Sequence, residues 1–164
     1  MITRLATIYV LFFVTFTFLF VSEVDGQEST RTALEETNLK KAVYCMNILE
    51  NRPDLDSTQR ISILRDECYS EHFIEHAPNI EDGREALLSL FANRYKKYPE
   101  LSMSIKRSVS EGDLVWLHLH VKHTPDSLGG AGIHIFRMNN NKIVEHWGVG
   151  QPVPEKSKNS NTMF

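Results

Sequence analysis

His118 and His120 stand two residues apart in one apolar run, and His134 follows in the next. In extended chain alternate side chains share a face, so His118 and His120 project together with Leu114 and Trp116. By the same count His134 goes with Gly132 and Phe136, opposite Ala131, Ile133 and Ile135. An imidazole titrates at about 6.5 when unperturbed, so facing rings inside a concave sheet suit general acid–base work. The same three could ligate zinc, which takes N, O and S donors, or be hydrogen-bonded neutral rings with no chemistry. Spacing leaves all three readings open. Glu145-His146-Trp147 is a second cluster. Alternation sends Glu145 and Trp147 to one side and His146, with Val144, to the other. Trp147 reads as pocket wall or interface. In a helix His72 and His76 would face the same way, but Pro78 and the flanking aromatics argue against a full helix.

Other chemistries find no support. The sequence has no nucleophile elbow, P-loop, dinucleotide fingerprint or His-Glu-x-x-His pattern. With 18 Lys and Arg against 21 Asp and Glu, the net charge is −3, which leaves no basic footprint for nucleic acid. The length, 164 residues, fits one domain.

The N-terminus is set apart from that domain. Arg4 precedes an uncharged run from Leu5 to Val21, and small and polar residues follow from Ser22 to Gln27, the layout of a secretory signal peptide. Cleavage is expected near Gly26, giving a leader over residues 1–26, a domain over 35–164 and a secreted product. A retained membrane anchor is the competing reading, since the run just reaches spanning length. Export would put Cys45 and Cys68 in an oxidising compartment. Both fall in expected helices, and they are either one bridge or two buried thiols.

The elements that must position the histidines follow from periodicity. Leu39, Ala42, Val43, Met46 and Leu49 recur at three and four, a helix over 35–50 ended by Pro53. Asp56 and Gln59 form a capping-box pattern ahead of a second helix carrying Ile61, Leu64 and Cys68. Residues 69–78 read as a strand or lining loop. Asp82-Gly83 opens a third helix, with Leu87, Leu88, Phe91, Tyr95 and Tyr98 on its stripe. After Pro99 the period changes to two. Strands are expected over 101–109, 114–122, 131–138 and 142–149, with a turn at Glu111-Gly112-Asp113 and a hairpin at Asn139-Asn140-Asn141. Helices first, then an antiparallel meander, means α+β. Both faces of the strand 114–122 are partly apolar, so a partner subunit is expected on the face the helices leave open.

The stretch His72-Phe73-Ile74-Glu75-His76-Ala77-Pro78, with Asp82-Gly83-Arg84-Glu85-Ala86-Leu87 behind it, resembles the start of the SnoaL-like polyketide cyclase family. Glu111-Gly112-Asp113-Leu114-Val115, Ile135-Phe136-Arg137, Lys142-Ile143-Val144-Glu145-His146-Trp147 and Gln151-Pro152-Val153-Pro154 match further along. The resemblance implies a ketosteroid isomerase-like cone, with N-terminal helices packed on a strongly curved antiparallel sheet around an apolar pocket. It also implies dimers through the sheet, and ring closure by aldol chemistry without metal or organic cofactor. Two departures stand out. The family's acid–base Asp before Ile-Phe-Arg is here His134, and the Asp that commonly follows His-Trp is Gly148. A working imidazole becomes a cation where a carboxylate becomes neutral, so His134 needs altered neighbours.

Two functions follow as expectations. One is a cyclase or isomerase acting on a carbonyl compound, with His134 as base and His118 orienting it or donating. The pocket would be lined by His76, His120, Trp116, Phe136, Glu145, His146 and Trp147. The other is a secreted carrier of an apolar small molecule on the same fold. Neither involves nucleic acid, nor a membrane unless the leader is kept.

Overall fold

The computed structural model describes residues 31–50, 52 and 54–164, so the expected leader lies outside the described residues. Helix α1, Ala33–Glu50, starts at a reciprocal cap. Glu35 donates its backbone N–H to the Thr32 hydroxyl, and the Glu35 carboxylate accepts the Thr32 N–H. Its buried side includes Leu39, Ala42, Met46 and Leu49, as the periodicity requires. Helix α2, Ser57–Ile63, has the Asp56–Gln59 capping box and runs into one π-helical turn, Leu64–Cys68. Cys68 is bridged to Cys45 of α1, with 5.7 Å between Cα atoms. Of the two readings of these cysteines, the disulfide is the one that forms.

Strand β1, Tyr69–Glu75, leads to helix α3, Arg84–Lys97, and then to β2 Ser102–Glu111, β3 Leu114–Lys122, β4 Gly130–Asn139 and β5 Lys142–Pro152. Gly83 at φ 93° makes the sharp entry to α3 that a side chain would resist. The hairpin residues Asn140 and Asn141 both have positive φ, 49° and 59°, where Asn is tolerated.

The strongly curved antiparallel cone does not form. The sheet is mixed, in the order β1-β5-β4-β3-β2, and it is open: β1 and β2 are its edges and do not pair. Strands β2 to β5 are the expected antiparallel meander, but β1 lies parallel to β5, with Glu75 opposite His146. A parallel neighbour needs a long crossover, here everything from α3 to β4, and local periodicity carries no trace of such a pairing.

The helices cover one face of the sheet. Val115, Leu117, Leu119, Phe136, Met138 and Ile143 line it, each at most 3 % exposed. A bulge in β5 corrects one assignment: Arg137 pairs with Glu145 but Met138 with Ile143, so Ile143 rather than Val144 enters the core on the His146 side. The other face carries Trp116, Ile135 and Trp147 in one cross-strand row. Part of it is covered by the C-terminal segment, whose Phe164 ring stacks 4.0 Å from His120 and 5.8 Å from His118.

Candidate functional site

On the helix-covered face three titratable side chains join end to end. Glu75, the last residue of β1, places its carboxylate 2.8 Å and 2.9 Å from His146 Nδ1. His146 Nε2 then lies 2.8 Å from His134 Nδ1. Sheet pairing explains the chain of contacts. Glu75 is beside His146 across the β1–β5 ladder, and His134 faces Gly148, one inward position further along β5. Phe136 stacks against both imidazoles, at 6.2 Å and 5.1 Å, and holds them nearly coplanar.

The hydrogen bonds set the tautomers. A carboxylate only accepts, so His146 donates Nδ1–H to Glu75 and presents the Nε2 lone pair. His134 must then donate Nδ1–H to that lone pair, which leaves its own Nε2 unprotonated. A Cβ built on Gly132 would come within 3.0 Å of that Nε2, so the missing side chain keeps the basic nitrogen open. Gly148 does the same for the joint, since a Cβ there would lie 3.1 Å from His146 Cε1 and 3.6 Å from His134 Cε1. Burial, reinforced by His146 and by the Arg94 guanidinium, pushes the His134 pKa down to about 3. The ring is therefore a neutral base throughout the physiological range.

The carboxylate end is firmly held. The Glu75 side chain is fully shielded, and it also accepts the Ala77 N–H at 2.9 Å. Asp82 Oδ1 accepts the N–H groups of Glu75 and Gly83, both at 2.8 Å, tying the end of β1 to the start of α3.

Both rings border a cavity. An inner chamber of about 80 Å³ lies against Leu87, Phe91, Met103 and Phe136. Ile80, Leu90, Arg94, His134 and His146 also line an adjoining open vestibule of about 670 Å³, together with Gly132, Gly148 and Gly150. No Asp or Glu lines either part among the described residues. Nor does any group of three His, Cys, Asp or Glu among those residues stand in a position to hold a metal ion.

The candidates from sequence divide between the faces. His134, His146 and Phe136 meet at the cavity. His118 pairs with Ile133 while His134 pairs with Leu117, so His118 and His134 lie on opposite faces and share no cavity. His118 Nδ1 contacts Arg107 Nη1 at 3.0 Å, and His120 Nε2 donates to the Leu128 carbonyl at 2.9 Å. Trp116 lines a separate apolar groove of about 380 Å³ on that outer face, with Val109, His118 and Ile133. His76 stacks on Trp147 at 4.4 Å and meets Glu145 at 3.0 Å. Glu145 in turn accepts from Arg137, which also pairs with Asp113. This is an outer-face ion-pair ladder, and none of its members lines the cavity. Sequence reasoning passed over Glu75 and Arg94. A carboxylate two residues after the core residue Phe73 in extended chain was the available signal for the first, and a cation at helical spacing from Leu87 and Phe91 for the second.

Residues 57–146 match the model of the SnoaL-like domain. No curated protein matches in sequence. Among solved structures, a proposed SnoaL-like polyketide cyclase from a Jannaschia species superposes with a TM-score of 0.59 at 14 % identity, over 74 % of this chain and 90 % of that one. A proposed isomerase of the SnoaL-like family from Agrobacterium tumefaciens gives 0.59 at 13 % identity, over 71 % and 98 %. A proposed ketosteroid isomerase from Kribbella flavida gives 0.56 at 12 %, over 76 % and 85 %. At such identities these structures speak for the fold alone.

Proposed function

The chain belongs to the SnoaL-like family, whose fold goes with small-molecule binding and with cyclase and isomerase chemistry, and from that premise we propose that it moves a proton on a carbonyl compound held in the cavity, with His134 as base. The observation that carries this is the Glu75–His146–His134 chain, ending in an open lone pair at the cavity wall.

The chain answers the electrostatic objection to a histidine base. When His134 Nε2 takes a proton from carbon α to a carbonyl, it releases Nδ1–H to His146 Nε2, and His146 releases Nδ1–H to Glu75. The C–H bond breaks, an enolate forms, and the site changes from a buried carboxylate to a buried carboxylic acid. Both imidazoles end neutral in the opposite tautomer. The site's charge change is that of a carboxylate base, although the atom meeting substrate is nitrogen. A lone buried imidazole held near pKa 3 would be too weak for this work, and the carboxylate behind it supplies the missing basicity. The enolate can be reprotonated at another carbon, an isomerisation, or can attack a second carbonyl, a ring closure.

Two further parts of the reading concern context. The disulfide supports a secreted protein, because such bridges persist in oxidising compartments. The outer row of Trp116, Ile135 and Trp147, flanked by the exposed Ile133 and Val149, supports a homodimer through that face.

The test is α-proton exchange of 2-tetralone in D₂O. Exchange above the buffer rate that His134→Ala abolishes is the expected result. Glu75→Gln should also slow it at least tenfold, since Gln can still accept the His146 bond but cannot take the proton. Binding of the ketone without exchange would instead favour a carrier, a reading supported by the lack of a wall carboxylate among the described residues.

A further inference from the structure

Arg94 sits where an apolar residue would be expected. It follows Leu87 by seven positions and Phe91 by three, on the stripe of α3 that faces the sheet, and it lines both the inner chamber and the vestibule. A basic residue in the last turn of a helix has an ordinary role in meeting the terminal carbonyls. Here Lys96 and Lys97 already stand exposed at that terminus, so Arg94 is surplus to it. Among the described residues its guanidinium takes part in no ion pair and donates no hydrogen bond, while every other Arg there has a carboxylate, carbonyl or imidazole partner.

The carboxylates that could have answered it are committed or set apart. Glu75 is spent on His146 and Ala77, and Asp82 on two backbone N–H groups. Glu50 is buried, with Oε1 unpartnered, and desolvation pushes its carboxyl well up, against the pull of Arg94. The remaining polar groups around the vestibule are Asn79, His123, Ser127 and Gln151, all without negative charge. A guanidinium facing a cavity is a fork of five donors waiting for a planar anion.

We propose that the cavity's ligand carries a carboxylate, with Arg94 as its counter-ion. Resting on the proton-transfer reading above, this narrows the substrate class to keto acids, oriented so that the carboxylate meets α3 and the acidic C–H meets His134. A neutral ketone such as 2-tetralone would then still reach His134 and exchange, but would bind more weakly than a keto acid of the same shape. Arg94 is a binding and positioning residue; it takes no proton.

The experiment compares 2-naphthoate with 2-naphthamide, nearly the same shape without the charge, by calorimetry and by the histidine ring NMR signals of the full chain. The naphthoate should bind at least tenfold more tightly, with the preference shrinking as salt rises. Arg94→Gln should bring the two ligands within twofold of one another. Arg94→Lys keeps the charge without the fork and should retain part of the preference, which provides the answer if the Gln variant does not fold. His134→Gln should leave the preference intact. Equal binding of the two ligands, binding of neither, or a preference that survives Arg94→Gln would overturn the assignment. A preference that depends on Arg94, combined with no α-proton exchange on any ketone or keto acid, would instead sink the proton-transfer reading and leave the anion site standing.

Discussion

Acidification should unfold this domain through His134, and the size of the effect follows from its pKa. In the fold the ring titrates at about 3 because burial, His146 and Arg94 all oppose its charge; in the unfolded chain it returns to about 6.5. Between those values the unfolded state binds more protons than the folded one, so stability falls as pH falls. At pH 5.0 the ring is 1.5 units below its unfolded pKa, which at 1.36 kcal/mol per unit amounts to about 2 kcal/mol lost relative to pH 7.5. Water in the adjoining vestibule makes that an upper value. The hydrogen bond to His146 is not what is lost, since a protonated His134 can still donate from Nδ1; the loss is desolvation. The assay is urea unfolding of wild type and His134→Gln at pH 7.5, 6.0 and 5.0. The other titrating groups, including Glu75 and His146, are present in both proteins, so the difference between their pH slopes isolates His134. Wild type should lose about 2 kcal/mol more than the variant across the range, or roughly 6 °C in melting temperature. Equal slopes for the two proteins would show that His134 is not held neutral, and the account of the relay would fail with it.

Glu50 should act with the opposite sign. Its carboxyl is pushed well up by burial, so stability present at low pH is lost as pH rises above the ordinary carboxylate value of 4.5, and Glu50→Gln should become increasingly stabilising from that pH upward in the same urea series. Gly148→Ala should open the joint of the relay, since its Cβ would crowd His146 at 3.1 Å; the downfield Nδ1–H signal expected of His134 in the wild type should move or vanish in the variant while stability changes by less than about 1 kcal/mol. Replacing Cys45 and Cys68 together by Ala removes a crosslink over a sequence separation of 23, which loop-closure entropy values at about 3 kcal/mol. A loss under 1 kcal/mol in urea melts would rule out that estimate.

The site was legible in the sequence only as far as one strand at a time. Alternation within β4 put His134 and Phe136 on one face, and alternation within β5 put His146 opposite Trp147. Which face of one strand joins which face of the next depends on register, and a shift of one residue reverses it. That is why His118 could be paired with His134 on paper although the Leu117–His134 register sets them on opposite sides. The bulge at Val144 and the parallel placement of β1 are decided by long-range packing. Glu75, the group that makes His134 intelligible as a base, reaches the site only through that second feature. The curvature expected from family resemblance failed for a related reason, since an open mixed sheet and a cone can share the same order of helices and strands.

The Cys45–Cys68 bridge closes immediately before Tyr69, the first residue of β1. That edge strand has a neighbour on one side only, and its register with β5 is interrupted between Tyr69 and Ile74. The disulfide thus anchors the near end of the segment that delivers Glu75 to the two imidazoles. Production history becomes a variable of the enzymology. Material made in a reducing cytosol can keep its helices, its meander and both histidines, and still present a base uncoupled from its carboxylate. Thiol titration of each preparation belongs beside every activity measurement, because a sample without turnover informs on the chemistry only when the crosslink is intact.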